Sequence, residues 1–266
     1  MMQVSTRSSY QPVKKTALIL AIVGLVLGQI GAASAQTVGG EQQAAMYDAC
    51  LTQADSEPKA AYEAALDWYK AGGGLPARHC AAVALLGLDA YEEAAARLEK
   101  LAGEVPDARI DLRLGLIAQA AQGWMMSGRA ERAAQLLSLV INVRSDDPQL
   151  RADRAVAWMS LGDHWAAIDD LDLALQRAPE DVELLLYRAA AYRYLGVPDL
   201  ARDDVTRALA VDPNHPGAWL ERGILDELAG DKAAARRDWI KVLELAPDGA
   251  AADAARARLE ALDVAR

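Results

Sequence analysis

Phenylalanine is absent from this sequence, and six Trp and eight Tyr are its only aromatic residues among 266. A core drawn mainly from Ala, Leu and Val suits close-packed helices better than a β-sandwich, which leans on β-branched and aromatic side chains. Cysteine occurs twice and histidine three times. Cys50 and Cys80 are not in a C-x-x-C arrangement, and His79, His164 and His215 lie far apart with no H-E-x-x-H spacing. Zinc sites and dithiol redox chemistry are therefore not expected. No G-x-S-x-G or S-x-x-K stands in a suitable context, and Gly72-Gly73-Gly74 ahead of Leu-Pro reads as a turn rather than a phosphate loop. The sequence offers no residue for catalysis and no cofactor site. Lys and Arg number 28 against 38 Asp and Glu, a net charge of −10, with no basic cluster in the body of the chain. That balance argues against nucleic acid or an anionic membrane surface as a partner. With 53% hydrophobic and 25% charged residues, the chain can bury a core and is not disordered.

The first 35 residues are read separately. Arg7, Lys14 and Lys15 precede an apolar run, Ala17 to Leu27, and a small-residue stretch ends at Ala33-Ser34-Ala35. A basic start, a short apolar core and an A-x-A site are the three parts of a secretory signal peptide. Cleavage after Ala35 is expected, which makes the mature chain periplasmic and leaves 25 basic against 38 acidic residues, net −13. The alternative is an uncleaved anchor, for which the run is short and interrupted by Gln29. Membrane attachment is expected only in that case.

What fills the remainder is a repeat. Pro179, Pro213 and Pro247 stand 34 residues apart, as do Gly128, Gly162, Gly196 and Gly230, and an alanine follows each glycine by five (Ala133, Ala167, Ala201, Ala235). Glycine can end one helix in the left-handed conformation, proline cannot continue the next, and alanine lets two helices approach. Together at one period these landmarks resemble the tetratricopeptide repeat (TPR). The resemblance implies an all-α fold: a right-handed α-solenoid of antiparallel helix pairs. Units fall at 41–74, 75–108, 114–147, 148–181, 182–215 and 216–249, with a capping helix over 250–266. The match is close from 148 onward. It is weak in the first unit, where Ala60 takes the alanine slot, and rests on Ala94 and Pro106 in the second. Residues 109–113 are an insertion expected to lengthen the first helix of the third unit by more than a turn.

The repeat register sorts the remaining polar residues. Arg154, Arg188 and Arg222 recur at one first-helix position, and Asp170, Asp204 and Asp238 follow each by sixteen; the preceding unit has Ala120 and Leu136 there, so both charges vanish together. They read as ion pairs within each unit, the alternative being a basic ladder for an anionic ligand. Cys50 and Cys80 fall on neighbouring first helices, which predicts a disulfide, with two buried thiols as the alternative. In the family the concave face is lined by first helices, and the corresponding positions give a candidate partner groove of Gln122, Met125, Met126, Met159, Arg193, Tyr194 and Glu227. One of the two adjacent methionines could instead pack under the lengthened helix. The Lys and Asn set with which chaperone-binding members clamp a C-terminal carboxylate is missing. The resemblance implies a non-catalytic monomeric scaffold that binds a protein or peptide segment in a concave groove. The other function class is a membrane-anchored accessory or assembly factor for an envelope complex or cell-wall enzyme.

Overall fold

A computed structural model describes residues 37–264; the signal-peptide segment lies outside the described residues. Thirteen α-helices and one short 3₁₀ turn account for the regular structure, with no strand among the described residues. The chain divides into two compact bodies at Val143/Arg144.

The N-terminal body contains α1 (Thr37–Ser56), α2 (Pro58–Lys70), α3 (Gly74–Gly87), α4 (Tyr91–Glu104), α5 (Ile110–Met126) and α6 (Ala130–Ile141). Helix α1 packs on both α2 and α3. Its seam is made of small clusters: Tyr47 with Trp68 and Ala77, Cys50 with Ala65 and Cys80, Ala54 with Ala61 and Val83. Here the expected alanine slot is displaced by one residue. Ala61 is buried and Ala60 only half-buried, because a single residue, Glu57, separates α1 from Pro58 in place of the three-residue turn used later. Helices also approach closely outside the pair. A Cβ on Gly123 of α5 would lie 2.9 Å from the Ala95 Cβ of α4, so close packing runs from α4 to the following helix as well as within the pair. Ala94 and Ala95 are both fully buried. The insertion has its expected effect on length: α5 has 17 residues, against 13 in the first helix of each later pair.

The C-terminal body contains α7 (Pro148–Ser160), α8 (His164–Arg177), α9 (Val182–Tyr194), α10 (Pro198–Val211), α11 (Pro216–Leu228), α12 (Lys232–Leu245) and α13 (Ala250–Val264). Each pair turns on one glycine. At the α7–α8 turn Gly162 takes φ 81°, and the Asp163 amide donates to Trp158 O at 2.9 Å. That left-handed residue closes the helix at no steric cost. The α3–α4 turn uses Asp89 (φ 60°) in the same slot. Helix starts carry aspartate caps: Asp147, Asp163, Asp181 and Asp231 accept backbone N–H groups of the first turn, worth about 1 kcal/mol each. One continuous core joins α7 through α11, with Ala155, Ala167, Leu171, Ala189, Val205 and Leu225 at its centre. A second core joins α11, α12 and α13 around the fully buried Trp239. Gly223 makes room for that indole, since a Cβ there would overlap Trp239 Nε1.

Candidate interaction surface

The repeated charges form pairs inside the helix pairs. Arg154 donates to Asp170 through Nε and Nη2, both at 2.7 Å; Arg188 binds Asp204 at 2.8 and 2.7 Å, and Arg222 binds Asp238 at 2.7 and 2.8 Å. The three aspartates are buried. Two-pronged geometry is the strong form of such a bond and satisfies both carboxylate oxygens. Further partners extend two of the pairs: Arg151 reaches Asp170 at 3.2 Å, and Arg188 also donates to Asp172 at 2.6 Å. Guanidinium groups held in this way are occupied, which leaves no ladder for an anion. In the unit that lacks the charges, Ala120 and Leu136 are both buried at the corresponding positions.

Cys50 on α1 is joined to Cys80 on α3, with Cα atoms 6.2 Å apart. Next to it lies a polar network that the sequence did not reveal. His79 is fully covered on α3; Tyr47 Oη lies 2.7 Å from its Nδ1, and Gln119 Oε1 lies 2.6 Å from its Nε2. The complementary arrangement is a tyrosine hydroxyl donating to Nδ1 and an Nε2–H donating to the amide oxygen, which is a neutral imidazole. Burial pushes the His79 pKa down and the Tyr47 pKa up. These three residues come from the first helices of three successive pairs, at separations of 32 and 40 residues. Neither separation matches the 34-residue period, so no periodic signal could have grouped them.

The groove residues divide between the two bodies. Gln122, Met125 and Met126 are half-buried on α5 in the N-terminal body. In the C-terminal body Met159 packs its side chain against the α7–α11 core, and Tyr194 is exposed at the end of α9. Both charged candidates are already engaged. Arg193 donates to both carboxylate oxygens of Glu221 on α11, and Glu227 accepts from Arg258 on α13 at 2.5 Å. Arg193 also lies 4.6 Å from the centre of the Tyr194 ring, and His164 of α8 stacks on that ring at 4.8 Å with 6° between planes. The surface thus presents apolar and aromatic groups, while its charges are turned to neighbouring helices. His164 and His215 sit at helix starts in this body. Burial lowers the first; a bond to Glu183 at 3.1 Å raises the second. Among the described residues no group of three or more His, Cys, Asp or Glu is placed to hold a metal.

Residues 190–260 match the sequence profile of the tetratricopeptide repeat. Over that stretch the chain carries tetratricopeptide repeats. Solved tetratricopeptide-repeat structures resemble it in fold. TTC0263, a thermophilic TPR protein of Thermus thermophilus, superposes with a TM-score of 0.56 at 21% identity over 68% of this chain and 95% of its own. MamA gives 0.53 at 16% identity, covering 62% and 93%. YrrB, described as a TPR protein with an unusual peptide-binding site, gives 0.50 at 17% identity, covering 68% and 90%. Among curated protein sequences none matches the chain. Helix pairs of the tetratricopeptide-repeat type serve generally as interaction modules, and the all-α architecture here is of that type.

Proposed function

We propose that this protein is a non-catalytic scaffold of the bacterial periplasm that holds a peptide segment of a partner protein against the first helices of its repeats. The observation that carries the reading is the state of those helices. Met125 and Met126 in one body, and Met159 and Tyr194 in the other, are apolar or aromatic groups only partly covered. The adjacent Arg193 and Glu227 are already paired. Methionine adapts to irregular apolar partners, and a stack of helix pairs offers an extended surface for a peptide. Peptide binding by YrrB, a protein of similar fold, supports the same use. Export follows from the basic start, apolar run and Ala33-Ser34-Ala35 of the sequence, and a bond between Cys50 and Cys80 suits an oxidising compartment.

The test is crosslinking in living cells followed by identification of the attached protein, repeated with Met126, Met159 and Tyr194 all replaced by alanine. Recovery of the partner is expected to fall by at least about tenfold, with the melting temperature held within a few degrees. Undiminished recovery would sink the groove. N-terminal sequencing of the exported protein is expected to begin at Gln36; an intact amino terminus in the membrane fraction would favour the anchored accessory instead.

A further inference from the structure

The C-terminal body carries a second surface, at the edge where each helix pair turns. Its first helices α7, α9 and α11 are neighbours, so the α7–α8, α9–α10 and α11–α12 turns lie along one edge, and the His164–Tyr194 stack ties the first turn to the second. Large apolar groups stand open on it: Leu161 is 46% exposed, Trp165 59%, Tyr194 52% and Leu228 64%. Single exposed apolar residues need no explanation; four on one edge, two of them aromatic, are unusual for a surface that meets only water. Charge of one sign runs between them. Asp163, Asp199 and Asp231 are exposed at the helix starts along this edge, and among the described residues none of the three has a side-chain cation as partner. Lys232 is the opposing exposed charge there, while Arg193 and Arg202 are spent on Glu221 and Asp226. The whole body has 15 basic against 24 acidic residues over 144–264.

We propose that this turn edge docks a cationic apolar segment of a partner protein, with its aliphatic groups on Leu161 and Leu228, and its Lys or Arg side chains over Trp165 and beside the three aspartates. Cations sit favourably over indole faces, and the local excess of carboxylate draws them there. The edge is separate from the first-helix groove, with which it shares only Tyr194.

The experiment uses the mature protein and a labelled peptide of about twelve residues built from Leu and Lys, read by fluorescence anisotropy, beside analogues with Glu for Lys or Ser for Leu. The Leu/Lys peptide is expected to bind at least tenfold more tightly than either analogue, and to weaken at about 0.5 M salt, where screening acts within ~4 Å. Trp165→Ala with Leu161→Ser is expected to reduce binding about tenfold with the melting temperature unchanged, and Asp199→Asn to reduce it severalfold. Met126→Ala with Met159→Ala, which tests the groove, is expected to leave this binding intact. Equal affinity for the Glu analogue, or undiminished binding by the Trp165/Leu161 variant, would overturn the proposal. So would concentration-dependent dimerisation that Trp165→Ala abolishes, since a second copy would then be the occupant.

Discussion

Asp238 shows what a carboxylate needs in order to be buried between two helices. Arg222 meets both of its oxygens, and the guanidinium in turn lies over the Trp219 ring at 4.1 Å. Such a pair can be nearly neutral against a well-packed apolar replacement, yet removing one partner strands the other. Asp238→Ala is therefore expected to lose roughly 3 kcal/mol in urea denaturation, and Arg222→Ala combined with Asp238→Leu distinctly less. The chain itself contains the template for that double change in Ala120 and Leu136, both buried without charge. Equal losses in the two variants would refute the account. His79 is governed by the same desolvation but has neutral partners. Its folded pKa lies below the ordinary value, so the unfolded chain binds more protons and stability falls as pH drops below about 6.5, by up to about 1.4 kcal/mol per pH unit. His164 acts in the same sense, whereas His215, raised by Glu183, and Asp153, pushed up to about 6 by burial, act in the opposite one. The clean measurement is the difference between the wild type and His79→Gln: the urea midpoint of the variant is expected to decline less between pH 7 and pH 5.

At the scale of the helix pair, spacing is set by which residue faces which. Ala155 and Ala189 share the core with Leu171 and Val205; at the same repeat positions Gly223 faces the indole of Trp239. Gly223→Ala is expected to cost about 1–3 kcal/mol by overpacking, and Trp239→Leu on the same chain to return part of it. If the two changes simply add, the size match between α11 and α12 does not control their separation. These pairs were legible in the sequence because glycine, alanine and proline repeat at one period and each has a local physical job. The displacement from Ala60 to Ala61 was not, since it follows from the shortness of the α1–α2 turn, which no residue type marks. The approach of Gly123 to Ala95 was hidden for a related reason. Among so many alanines, composition cannot say which one a neighbouring helix will meet.

Over the whole molecule, the all-α architecture of helix pairs could be read before any coordinate. The seven groove residues could be named only by register, and register does not say that Arg193 and Glu227 spend their charges on Glu221 and Arg258. Nor could it reveal Tyr47, His79 and Gln119, which meet at separations set by helix packing rather than by period. The disulfide belongs to the same seam. With its ends 30 positions apart in the sequence, it is worth about 3–4 kcal/mol to the N-terminal body. Replacing Cys50 and Cys80 with serine is expected to lower protection against hydrogen exchange first in α1 and α3. Unchanged protection there would mean that Tyr47, Leu51 and Ala54 hold α1 unaided.

The sulfur of Cys80 is fully covered once these helices are packed, and Cys50 is nearly so. A finished body leaves an oxidant little access to either side chain. The bond is made most readily while α1 is still off α3, which turns its formation into a matter of timing during maturation. A chain oxidised while open closes as a stapled body, and one that closes first seals two thiols inside it.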